Sequence, residues 1–289
     1  MKKTYAQRNY KDTLFRMLFR EKENLLNLYN ALNQTAYTDV KDLEITTLEN
    51  AVYMNYKNDI SFVFDFELML YEHQSTVNPN MPLRDLFYVA KVLQRRVKDS
   101  NLYGTRLVTI PTPRFVIFYN GTDSRPERQV LRLSDAFEKT VKYPGLELIV
   151  TVYNINWGHN KELLDACRIL KEYAQYVEQV RIFAKDSPFS EAVENAVDYC
   201  IQNGILSEFL SSNRAEAIEV SIFEYNEEQH LKSEREQAYQ EGQELGRKEG
   251  EKRLGELMSS LLKAGKKEEM ERILTDEEYR NRLYLENGL

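Results

Sequence analysis

The chain has 289 residues, 42% of them hydrophobic and 29% charged, with a formal net charge of −7. That balance excludes a disordered or fibrous protein and leaves apolar material for a sizeable core in one or two domains. Cys167 and Cys200 are the two cysteines and the three histidines are scattered, which excludes a disulfide framework, a zinc motif and a His-ligated metal centre. No stretch approaches 18 uncharged apolar residues, and Met1-Lys-Lys is not followed by an apolar segment, so a cytoplasmic protein without a membrane span is expected.

Asp12 is placed to cap a helix on which Leu14, Phe15, Leu18, Phe19, Leu25, Leu26, Tyr29 and Leu32 recur at three- and four-residue spacing. Leu48–Tyr56 alternates weakly and reads as a first strand. The run Asp59–Gln74 is rich in β-branched and aromatic residues and reads as a strand pair. A reversal centred on Asp65-Phe66 pairs residues whose numbers sum to 131, so Asp59 faces Glu72. Gln74 shares the face of Glu72, and His73 lies on the other. Directly opposed residues hold their Cβ atoms roughly 4.5–5.5 Å apart. Two carboxylates that close repel unless one is protonated or a cation lies between them. Oxygen ligands suit Mg²⁺ or Mn²⁺. Asp-Phe is a poor two-residue turn, and an odd-length loop shifts the register by one. The spacing alone therefore leaves open a metal site at Asp59 and Glu72, a role for Asp65 as ligand, and plain turn or strand-end residues.

Both faces of the strand pair are apolar, so helices on both sides of the sheet are expected. Pro82 suits the first turn of a helix running to about Lys98. Residues 84–114 carry seven basic residues, Arg84, Arg95 and Arg96 among them, against two acidic ones. Such a run either follows a phosphate backbone or forms a solvated helix face. Arg114–Tyr119, ended by Asn120-Gly121, and Leu146–Asn156 read as further strands.

After Gly158 the pattern is helical: Lys161–Lys185 is amphipathic, and Pro188 opens a helix ended by Gly204. From Glu216 onward 19 acidic and 12 basic residues account for the whole net charge, leaving residues 1–215 neutral. Gly242, Gly246 and Gly250 fall on one helix face, suggesting close helix approach or a flexible segment. Leu254–Leu262 and Glu268–Leu285 read as a small helical cap. The expected organisation is an α/β core over 1–157, a helical extension packed on it over 158–213, and a charged helical arm over 214–289 for oligomerisation or regulation.

Several segments carry a resemblance. They are Lys11-Asp12-x-Leu14-Phe15-Arg16, Asn58-Asp59, Glu72-His73-Gln74-Ser75, Pro82-Leu83-Arg84 with Tyr88, Ile117-Phe118-Tyr119-Asn120-Gly121, and the Glu-Gly repeats after residue 240. Together they resemble the Rpn-type recombination-promoting nuclease and transposase family, within the PD-(D/E)xK nuclease superfamily. The resemblance implies a restriction-endonuclease-like core, a mixed sheet covered by helices, and Mg²⁺- or Mn²⁺-dependent DNA endonuclease activity. It casts Asp59 and Glu72 as metal ligands, Gln74 as the third motif residue, and an acid of the first helix (Asp12, Glu21 or Glu23) as a further ligand. Gln74 stands where many members have Lys; it can orient a water but brings no positive charge. Arg84, Arg95 and Arg96 are the candidate DNA contacts.

Two rivals follow. An acidic-triad transposase needs a third distant carboxylate, and nothing in the sequence singles one out. A nuclease-fold protein without turnover, acting as a DNA-binding or protein-interaction module, is favoured by Gln74 and by the acidic arm.

Overall fold

The computed structural model describes residues 14–47 and 59–288, with side chains set aside at 225–232, 234–236 and 238. Asp12, Asn58 and the expected strand Leu48–Tyr56 lie outside the described residues. The chain forms two compact units that divide between Asn226 and Glu227.

The first unit is α/β. Its sheet has six strands: β1 (Glu44–Ile45), β2 (Ile60–Phe64), β3 (Glu67–Gln74), β4 (Thr112–Tyr119), β5 (Arg128–Arg132) and β6 (Ile149–Asn154). The order is β1-β2-β3-β4-β6-β5. β3, β4 and β6 are parallel; β1, β2 and β5 run antiparallel to their neighbours. In the β2–β3 hairpin Phe64 pairs with Glu67 and Ile60 with Tyr71, the register summing to 131. The turn is the two-residue form that its residues argued against. Asp65 and Phe66 have φ of 47° and 61°, both left-handed. Such turns match the twist of the flanking strands, which is why they are favoured even though a side chain at positive φ costs energy. The Tyr37 hydroxyl donates to Asp65 Oδ2 at 2.6 Å and pins the reversal from outside.

Helices cover both faces. On one lie α1 (Leu14–Leu18), α2 (Lys22–Asn33), α4 (Lys161–Ala166), α5 (Arg168–Phe183), α6 (Phe189–Gln202) and α7 (Ser207–Ser212). Their apolar residues form the largest core with Ile60, Phe62, Met69, Tyr71 and Phe118. On the other lies α3 (Met81–Arg96), whose Tyr88, Val89 and Val92 pack on Val63, Leu68 and Leu70. Met81 joins a third cluster with Ile117, Tyr119 and Val152. The faces thus alternate residue by residue along β3, as a pleated strand requires.

Three boundaries differ from expectation. The first helix is two, α1 and α2; between them the Asn24 side chain donates to the Leu18 carbonyl at 2.8 Å, turning the chain. The helix over 161–185 breaks at Cys167, which adopts extended backbone with φ −124° and ψ 96°. β5 has no counterpart among the expected strands. α8 (Arg214–Lys263) is a continuous helix of 50 residues that begins in the first unit and ends in the second. A Cβ on Gly242, Gly246 or Gly250 would meet nothing within 4 Å, so among the described residues no neighbour packs closely on these glycines. In the second unit α9 (Lys267–Thr275) and α10 (Glu277–Glu286) close a small core of Leu257, Leu261, Ile273 and Leu283.

Candidate active site

The site forms where the hairpin opens. At that end of the β2–β3 ladder two carboxylates replace backbone acceptors. Asp59 Oδ2 accepts the His73 backbone N–H at 2.7 Å, and the Asp59 backbone N–H donates to Glu72. Main-chain N–H groups of His73 and Asp59 thus hold the two acids in place. Glu72 is 6% exposed. Burial pushes its carboxyl well above the usual carboxylate range, and the nearby Asp59 and Asp85 push it further; Arg84 and the Asp59 N–H act against them.

Asp85 and Arg84 come from the first turns of α3. Met81, Asp85, Tyr88, Val89 and Val92 are its buried stripe, so Asp85 takes the place of an apolar residue and is only 3% exposed. Burial raises its carboxyl to about 7, with Arg84 opposing. Sequence reasoning missed Asp85 as a site residue, although its three- and four-residue spacing from Met81, Tyr88 and Val89 was a readable signal. The cluster thus gathers three carboxyl groups against one guanidinium, with Glu72 and Asp85 buried and Asp59 and Arg84 half-buried. Asp59 and Glu72 are the pair that could hold a hard cation. Among the described residues, no group of three or more His, Cys, Asp or Glu side chains is gathered closely enough to hold a metal ion.

Gln74 ends β3 two residues on. Its side-chain oxygen accepts the Asn78 backbone N–H at 3.2 Å, which shapes the turn into α3. His73 lies on the opposite face. It stacks on Phe15 with centroids 5.0 Å apart and shares a hydrogen bond of 2.9 Å between Nε2 and the Tyr173 hydroxyl. Burial lowers its ring to about 3, so it stays neutral. It is a packed core histidine, as strand parity required. Tyr88 is likewise core, its hydroxyl 3.2 Å from Ser61 Oγ.

The Asn120-Gly121 turn holds the ends of β3 and β4 together. Asn120 N–H donates to the Gln74 carbonyl at 3.1 Å. A Cβ on Gly121 would overlap the Ser75 carbonyl oxygen and stand 2.7 Å from both the Ser75 carbonyl carbon and Cε2 of Tyr119. Glycine is needed here for close backbone approach.

Other expected site residues are not brought together. Glu21 and Glu23 are exposed at the start of α2, a helix packed on the His73 face rather than the Glu72 face. Arg95 and Arg96 sit at the far end of α3, roughly 17 Å along its axis from Arg84 at ~1.5 Å per residue. Arg96 pairs with Glu44 at 3.0 Å beside a depression that also holds Asp39, Asp42 and Asp65. An acid-lined surface repels a polyanion, which argues against Arg96 as a DNA contact; of the three arginines Arg84 is the one beside Glu72 and Asp85.

No protein-family model, curated protein or solved structure matches this chain. Among the described residues no helix is long and apolar enough to cross a membrane.

Proposed function

We propose that this chain is a metal-dependent DNA endonuclease with a restriction-endonuclease-like core, as its motifs imply by resemblance. The observation that carries the proposal is Glu72, a buried carboxyl crowded by Asp59 and Asp85 and opposed by the Arg84 guanidinium and the Asp59 backbone N–H. A protein keeps such a charge deficit where something else completes it. The donors are all oxygen, the chemistry that selects Mg²⁺ or Mn²⁺. A cation so held supplies Lewis acidity to a phosphate and lowers the pKa of a bound water. In the chain itself Asp59 and Glu72 would hold the cation, Asp59 being oriented by the His73 N–H. Gln74 positions the water, and Arg84 steers a phosphate to the cluster. Asp85 adds to the crowding around Glu72 that a cation would relieve.

The test is nicking of supercoiled plasmid with Mg²⁺ or Mn²⁺, with chelator and Glu72→Gln as controls. Nicking that needs the metal and is lost in Glu72→Gln is expected; nicking that survives the substitution rejects the assignment.

One observation favours a second reading, a nuclease-fold module that binds DNA without cutting it. The Gln74 side-chain oxygen is already engaged by the Asn78 N–H. A metal-independent gel shift without nicking would select that reading. A cytoplasmic location and self-association through the charged helical arm remain parts of the proposal, tested by fractionation and by light scattering.

A further inference from the structure

The sheet edge that carries Gln74 holds a second depression. Tyr119 lies level with Gln74, and Asn154 level with Tyr119, at the carboxyl ends of the parallel strands. Open α/β sheets collect ligands outside these ends. The loops that leave β4 and β6, with α5, border an open cavity of about 280 Å³, lined by Asp123, Arg125, Asn156, Trp157 and Arg181 among others. Arg181 donates to Asn156 Oδ1 at 2.6 Å and to the Asn120 carbonyl. Both acceptors are neutral, so its charge is oriented but not cancelled. Arg125 stands against the Tyr119 hydroxyl. Its Nε–H is buried with no hydrogen-bond partner among the described residues, and the acid beside it, Asp123, is 3.7 Å from its Nη2. A buried donor without an acceptor is costly and is relieved when a ligand oxygen arrives. Trp157, the sole tryptophan of the chain, lies on the rim and is 45% exposed.

We propose that this cavity is a subsite for one nucleotide of a nucleic-acid strand, with Arg125 and Arg181 holding its phosphate and Trp157 stacking on its base. Guanidinium donors match phosphate oxygens, and base stacking on an indole tolerates any sequence. The inference deepens the nuclease proposal, on which it rests for the identity of the substrate: the subsite grips a nucleotide of the strand presented beside Gln74. The binding chemistry itself does not depend on cleavage.

Trp157 supplies its own probe. Titration of the full chain with a short oligothymidylate should quench its fluorescence saturably, and inorganic phosphate at the same concentration should not. Arg125→Gln should weaken binding about tenfold, and Trp157→Ala by a similar factor when read by anisotropy of a dye-labelled oligonucleotide. Melting curves that match the parent show that both variants are folded. Absence of quenching, unchanged affinity in either variant, or an equal response to inorganic phosphate overturns the subsite. Quenching without nicking leaves the subsite standing and rejects the nuclease proposal; nicking without quenching does the reverse.

Discussion

Gly121→Ala should cripple the protein through a single methyl group. The new Cβ overlaps the Ser75 carbonyl oxygen and stands 2.7 Å from two carbon atoms, the Ser75 carbonyl carbon and Tyr119 Cε2. Carbon atoms pack at roughly 3.5–4.0 Å, so the β3 and β4 ends must part by about 1 Å or more. The Asn120 N–H bond to the Gln74 carbonyl at 3.1 Å crosses that junction, and two more tie the displaced β4 end to the end of β6: Ile155 N–H to the Tyr119 carbonyl at 2.8 Å and Asn156 Nδ2 to the Gly121 carbonyl at 3.0 Å. Losing one or two of them with their groups still buried, at ~1–3 kcal/mol each, gives a cost of roughly 3–5 kcal/mol. For a unit of this size that lowers Tm by about 10 °C. Thermal unfolding followed by circular dichroism measures it. A Gly121→Ala protein that melts within 2 °C or so of the parent would refute the reasoning, because it would mean that the strand ends are not in contact as described.

Asp85→Asn should stabilise the metal-free protein in a pH-dependent way. Asp85 has a folded pKa of about 7, above its ordinary value of 3.8. Its protonated form is the one that suits the fold, so stability is lost as pH rises from about 4 to about 7. The advantage of Asp85→Asn should grow across that window toward roughly 4 kcal/mol; urea unfolding at pH 4 and pH 7 checks it, and an advantage that does not change with pH contradicts it. His73 titrates in the opposite sense. With its ring lowered to about 3, its contribution is complete above pH 6.5 and is lost as pH falls toward 3; His73→Phe should flatten that acid limb of the stability curve. Phe66→Gly should raise Tm by about 2–4 °C. It relieves a side chain at φ 61° that is 87% exposed and packs little; a lower Tm would show that the Phe66 ring does structural work at the tip.

The hairpin register was only half legible: the pairing centred on Asp65-Phe66 is the one found, but the sequence left open an odd-length loop that would have shifted it by one. The turn type was not legible. Nothing in Asp-Phe announces two left-handed residues; the strand twist and the Tyr37 hydroxyl impose them from outside. The opposite facing of Glu72 and His73 followed from parity alone. β5 escaped notice because Arg128–Arg132 is an edge strand with exposed ends, held by β6 rather than by its own apolar pattern. The break at Cys167 hid inside an amphipathic repeat that runs through it in register. The cluster was half legible. Glu72 and Asp59 were found by pairing across the hairpin, whereas Asp85 reaches them from a helix, a contact that no local spacing encodes. Arg95 and Arg96 lie at the other end of α3 from Arg84; charge counted along the chain ignores the length of the helix that carries it.

Calorimetric titration of the chain with Mn²⁺ at pH 7, in buffers of different ionisation enthalpy, tests the central claim most directly. The ion should bind, with the heat varying with buffer to the extent that it displaces a proton from the buried Glu72 carboxyl, which burial holds above the usual carboxylate range, and Glu72→Gln should abolish the binding. Binding that persists in Glu72→Gln, or no binding at all, would contradict the account.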